Sequence, residues 1–186
     1  MIRYKGFSFC SAPRTATTWT IDVLGRLGIE PVEGRASAKH QPWPKYESQI
    51  QLSMVRHPYT WLKSYYFSLG GGHVDVPAVD NVFKMHSRES KSFTEFVGRL
   101  DEGAVGTMFD TYKAGSVLRM EDLPHCLFDF LAPFGFKVDE GILKGLNPLN
   151  QTSWHRFKEV AKIDDKKLRA IVTRKEEDFC DTYDYW

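Results

Sequence analysis

The stretch FSFCSAPRTATTW, Phe7 to Trp19, decides how this chain folds. Phe7 to Cys10 is a short apolar run that reads as a buried strand, and Pro13-Arg14 breaks it. From Thr17 to Leu27 the spacing predicts a helix with Thr20, Val23, Leu24 and Leu27 on one face and Gly28 as its stop. A strand that passes through a tight loop into a helix aims several backbone N–H groups without intrahelical partners, and the positive end of the helix dipole, at one point. Such a point binds anions. Arg14 adds a permanent cation with a planar donor fork, Thr15, Thr17 and Thr18 add hydroxyls, and Ala16 is small enough to let a ligand reach the backbone. The competing reading is that the threonines only cap the helix, as such residues do.

The same strand-loop-helix pattern recurs. Ile50 to Val55 (IQLSMV) reads as a core strand ending at Arg56, and Pro58 opens a helix through Leu69 that Gly70-Gly71-Gly72 terminates. Leu62, Tyr65, Tyr66 and Leu69 form its expected buried stripe, which leaves Thr60, Ser64 and Ser68 on an opposite, polar face. Arg56 stands at the carboxyl end of a core strand, where open α/β sheets place ligands, and its fork suits a phosphate. Taken alone, Arg56 reads first as an exposed arginine in a surface ion pair.

Further along, residues 73–91 lack a clean period and read as a loop or lid, and Ser92 to Leu100 reads as a helix. Ser116 to Met120 is a third strand, followed by an apolar helix to Leu131, and Asp164 to Tyr183 is a surface helix with Leu168, Ile171, Val172 and Phe179 inward. Strands alternating with helices predict an α/β fold with a largely parallel central sheet flanked by helices. With 186 residues and 42% hydrophobic content the chain is read as one domain, 1–186.

A net charge of +1 supplies no general field for nucleic acid or an anionic membrane, so any anion must be met by locally placed cations. Cys10, Cys126 and Cys180 are odd in number and lack zinc spacing, and read as buried free thiols of a reducing compartment. No metal-ligand cluster appears, and no apolar window approaches the roughly 20 residues of a membrane span. The expectation is a cytoplasmic protein without metal, nucleic-acid or membrane partners.

The opening loop lacks the Gly-x-x-x-x-Gly-Lys-[Ser/Thr] of nucleoside triphosphate loops. Its APRTATTW instead resembles the 5′-phosphosulfate loop of sulfotransferases that use 3′-phosphoadenosine 5′-phosphosulfate (PAPS). VRHPYTWLKSYY, Val55 to Tyr66, resembles the family's 3′-phosphate motif, with Arg56 at the strand end, a proline soon after, and Ser64 eight residues beyond the arginine. The resemblance implies a P-loop-like, three-layer fold. It also implies a site in which Arg14, Thr15, Ala16, Thr17 and Thr18 hold the 5′-phosphosulfate, Arg56 and Ser64 hold the 3′-phosphate, and Trp19 stacks on adenine. For Trp19 an ordinary core position is the other reading. SVLRMEDL is similar to the family's strand ending in Tyr-Glu-Asp-Leu, with Met120 at the tyrosine position, and LNQTSW to an Asn-x-Ser/Thr stretch before its C-terminal helices. Glu121 and Asp122 are read as helix-capping residues. The family's C-terminal Arg-Lys-Gly loop has no counterpart here, and the resemblance leaves its part to Asn150, Thr152 or residues 73–91.

Sulfuryl transfer needs a base, cations on the departing phosphate and in-line alignment. His40, in AKHQPW, lies between the two motifs and resembles the family's His-x-Pro stretch, and a neutral imidazole accepts a proton near pH 7. Five other histidines (His57, His73, His86, His125, His155) keep a structural role open for it. Glu33 is the reserve base, Glu47 also lies between the motifs, and Lys39 is a possible second cation, one residue from where the family places its lysine (Ala38 here). Arg14 stands where many members carry lysine. A guanidinium is never deprotonated in proteins, so it stabilises a leaving phosphate without donating to it. The expected reaction converts PAPS to 3′-phosphoadenosine 5′-phosphate (PAP), with a hydroxyl or amine of a small-molecule or carbohydrate acceptor receiving the sulfuryl group. The alternatives are a nucleotide phosphotransferase and a non-catalytic module binding PAP. Trp43, Tyr46, Trp61, Tyr65 and Phe67 read first as core, and otherwise as an acceptor pocket.

Overall fold

The computed structural model describes residues 1–34, 40–41, 50–68, 78–136, 140–144 and 165–186. They fall in two compact units, Met1–Arg56 with Thr111–Gln151 and His57–Asp110 with Thr152–Trp186. Among the described residues no helix is long and apolar enough to cross a membrane.

The first unit is an α/β layer around a four-stranded mixed sheet in the order β1-β2-β3-β4. β2 (Phe7–Phe9), β3 (Ile50–Val55) and β4 (Ser116–Arg119) run parallel, as the alternation of strands and helices predicts. β1 (Ile2–Arg3) was not expected: it adds antiparallel to β2, turning back at Gly6, whose φ of 98° no side chain adopts cheaply. Phe7, Phe9, Leu52 and Met54 alternate onto one face of the sheet and are fully buried, each stabilising the fold by about 1.5–3 kcal/mol. Against them pack Val23 and Leu24 of α1 (Thr17–Arg26) and Leu127 and Leu131 of α6 (His125–Leu131). Leu27 caps α1 half-buried, and Gly28 at φ 71° ends it as its position predicts. Met120, expected to close β4, instead opens a 3₁₀ turn, Met120–Asp122, and Pro124 occupies the N-cap of α6 without a side-chain cap. Glu121 and Asp122 therefore do not cap that helix. Asp122 pairs with the Arg119 Nε at 3.1 Å instead.

Among its described residues, the second unit is helical. It comprises α2 (Pro58–Ser68), α3 (Ala78–Glu89), α4 (Phe93–Arg99), α5 (Ala104–Asp110), α7 (Lys166–Lys175) and α8 (Glu177–Tyr183). Its core is an aromatic web in which the buried Trp61 has ring centroids at 5.1 Å from Tyr65, 5.2 Å from Phe83 and 5.6 Å from Phe109. Such pairs add about 0.5–1.5 kcal/mol each beyond their burial. Trp61 and Tyr65 are thus core residues, while Trp43 and Tyr46 lie outside the described residues.

Three expectations are corrected here. Residues 78–89 of the expected loop form α3. Its period is obscured because Val82 and Met85 are exposed and Phe83 carries the buried contact. The single C-terminal helix is two, broken at Glu176, whose φ and ψ of −115° and 34° leave the helical region. Ile171 faces out at 50% exposure, and Leu168, Val172 and Phe179 face in. Finally, the polar face of α2 is not a free face: Ser64 is 4% exposed. Leu69 and residues 73–77 lie outside the described residues.

Glu176 explains its own break. Its carboxylate accepts from the Val105 and Gly106 N–H groups, both at 3.0 Å, so it satisfies the first turn of α5 from another helix junction. Burial raises its pKa, with the two backbone hydrogen bonds and Lys175 opposing that shift.

Candidate functional site

The loop between β2 and α1 is held in a conformation that its residues do not choose by themselves. Arg14 (φ 68°) and Ala16 (φ 60°) are left-handed while Thr15 between them is not. Alternation of this kind turns successive backbone N–H groups toward one concavity, and a left-handed non-glycine residue costs about 1–2 kcal/mol. The N-cap of α1 is Ala16, which makes no side-chain cap. Ala16, not a threonine, fills the capping position, so the residue there gives the first N–H groups of the helix no side-chain acceptor.

The hydroxyls do different work from the one expected of them. Ser11 Oγ donates to the Met54 carbonyl at 3.1 Å, so its single proton is used. Thr15 Oγ1 lies 2.6 Å from both Ser11 Oγ and the Ala12 carbonyl, and Thr17 Oγ1 reaches the same carbonyl at 3.5 Å. Thr15 and Thr17 are buried, with their hydroxyls turned inward onto the loop, while Thr18 is exposed. What Thr15 and Thr17 offer a ligand is backbone, and what their side chains supply is the loop's shape.

Two further segments converge on this loop. Arg56, at the end of β3, donates through Nη1 to the Arg14 carbonyl at 3.3 Å. His40 Nδ1 lies 2.7 Å from the Ser11 carbonyl. A carbonyl oxygen only accepts, so Nδ1 carries the proton and the neutral ring keeps its lone pair on Nε2. The segment that carries His40 is itself fixed: the Tyr112 hydroxyl donates to the His40 carbonyl at 3.2 Å, and Cys10 Sγ donates to the Gln41 carbonyl at 2.6 Å. Burial pushes the Cys10 thiol up to about 11, so it remains a protonated donor at neutral pH.

Arg14, Thr15, Ala16, Thr17, His40 and Arg56 thus belong to one hydrogen-bonded neighbourhood. Trp19 is half-buried and packs against the core of the first unit. Glu33 is held elsewhere: its exposed carboxylate pairs with Arg3 of β1, and among the described residues no hydrogen bond joins it to the loop. Ser64 belongs to the second unit. Ala38, Lys39, Glu47, Asn150 and Thr152 lie outside the described residues. Sequence reading missed Ser11 and Tyr112, which orient His40 and its segment. Ser11 sits inside the opening stretch, but a serine carbonyl carries no sequence signal. Compared with protein families, with curated proteins and with solved structures, the chain matches none.

Proposed function

We propose that the chain is a PAPS-dependent sulfotransferase of P-loop-like α/β fold. The observation that carries this reading is that His40 and Arg56, from two separate segments, both hydrogen-bond to backbone carbonyls of the β2–α1 loop that bears Arg14. These contacts support reading His40 as the base and Arg14 and Arg56 as cations beside a loop that would receive the anion, the set sulfuryl transfer requires.

In this reading the α1 N-terminus and Arg14 hold the 5′-phosphosulfate, and Arg56 meets the 3′-phosphate. His40 Nε2 takes the proton of the acceptor hydroxyl or amine as that atom bonds to sulfur. The bond between sulfur and the phosphate oxygen breaks, and its electron pair leaves on the phosphate, where Arg14 and the loop amides hold the charge. Ser11 keeps the imidazole in the tautomer that can accept. No proton is asked of Arg14, which cannot give one. A nucleotide phosphotransferase is less well supported because the loop has no lysine and no glycine.

Calorimetric titration with PAP tests the reading. Wild type binds, and Arg56→Ala weakens binding by about 10- to 100-fold through loss of a charge-assisted contact. Labelled PAPS with an acceptor panel then tests turnover. Absence of PAP binding by wild type overturns the proposal, and PAP binding without any transfer moves it to a non-catalytic module.

A further inference from the structure

We propose that the second unit contains a separate binding site for a phosphate or sulfate monoester carried on a planar ring. A cavity of about 530 Å³ opens there, within the range of about 300–1,000 Å³ typical of small-molecule sites. Its lining carries Lys166, Arg169 and Arg174 of α7 against one acidic side chain, Glu177. Among the described residues no ion pair engages any of these three cations.

Lys166 and Arg169 are helix neighbours at i and i+3, and Arg174 lies further along, so the three span about 12 Å of the helix at 1.5 Å per residue. Lys166 and Arg169, three apart, repel one another, and Lys166 also sits in the first turn, where the helix dipole disfavours positive charge. Asp165 caps the helix through the Lys167 and Leu168 N–H groups, at 2.9 and 3.1 Å, and so is already engaged. An anion in the cavity relieves these conflicts together. Two exposed arginines with planar forks suit the oxygens of a tetrahedral ester.

The remaining wall is aromatic. Tyr185 is buried beside His57, with ring centroids 5.4 Å apart. Trp186 is 68% exposed, yet its Nε1 donates to Asp181 Oδ1 at 2.6 Å, which fixes the indole at the cavity. A large exposed ring anchored by a hydrogen bond offers a stacking platform for a planar ring, and the neighbouring cations meet its charge. Every lining residue belongs to the second unit, so the site stands whether or not the chain transfers sulfuryl groups.

The test is calorimetric titration of 2-naphthyl phosphate, inorganic phosphate and 2-naphthol into Arg14→Ala/Arg56→Ala protein, which removes the loop cations. The naphthyl ester binds one equivalent, tighter than either half. Adding Arg169→Gln/Arg174→Gln, exposed helix-compatible changes, weakens it by about ten- to a hundredfold. Adding Trp186→Ala weakens the ester and leaves inorganic phosphate unchanged. No binding of the ester in the loop-cation variant, or binding indifferent to the two arginines, overturns the site. Equal weakening of ester and phosphate by Trp186→Ala overturns the ring platform.

Discussion

Arg14 separates strain from charge. At φ 68° it pays the left-handed penalty of about 1–2 kcal/mol, a cost that alanine keeps and glycine removes. Glycine in turn raises the entropy of the unfolded chain by about 0.4–1 kcal/mol. Arg14→Gly and Arg14→Ala lose the same guanidinium, so the difference between them isolates the backbone. Glycine should be the more stable by roughly 0.5–1 kcal/mol, which is about 1–4 °C in melting temperature for a chain of this length. Position 16 is less informative, because glycine there gains a similar relief but loses a buried methyl of about 0.8 kcal/mol. Both Arg14 variants should bind PAP more weakly than wild type, by about 10- to 100-fold and equally. Thermal melts and PAP calorimetry on the three proteins measure both quantities. If Arg14→Gly melts at or below Arg14→Ala, the loop is not held left-handed at that residue and the strain argument fails.

His40→Gln should keep PAP affinity within about threefold and lower the transfer rate by about 10²–10⁴, read by single-turnover assay with labelled PAPS; a rate equal to wild type removes His40 as the base. Glu176→Ala orphans two N–H groups of α5 and should cost about 2–4 kcal/mol, or roughly 4–16 °C, measured by thermal melts. Because burial raises the Glu176 pKa, its neutral form favours folding. That contribution is full below its unfolded value and is lost as pH rises through the raised one, so the pH dependence of wild-type stability should flatten in Glu176→Gln across that window. Burial likewise lifts the Cys10, Cys126 and Cys180 thiols to about 11, so the native protein should react slowly with iodoacetamide at pH 8 and lose stability between about pH 9 and 11, as the unfolded thiols ionise first.

What the sequence reveals is what neighbouring residues decide. β3 spans Ile50–Val55, as its apolar run between polar flanks predicts, and Pro58 and Gly28 punctuate α2 and α1 where proline and glycine should. The misses share a non-local cause. α5 starts without a residue of its own to cap it, because the cap is a carboxylate 71 residues away in sequence, and the same commitment of Glu176 breaks the C-terminal helix. No window of residues holds that information. In the candidate site, the strand-loop-helix frame that carries Arg14 was readable. The inward turn of the threonine hydroxyls and the hold of Ser11 on His40 were not, since both depend on which carbonyl lies within reach after folding.

The β2–α1 loop breaks local rules in a consistent direction. Glycine would be unstrained at positions 14 and 16, and an extended N-cap bearing serine or aspartate, instead of a left-handed alanine, would cap α1. The chain has arginine and alanine there, and turns its threonines away from the helix end. These choices leave something at the helix N-terminus: a charge on Arg14, room over Ala16, and N–H groups that the N-cap side chain does not cover. A loop under selection for stability alone has no reason to combine the three. A loop that receives an anion needs all of them, which is why Arg14→Gly, which should stabilise the loop, should also weaken PAP binding.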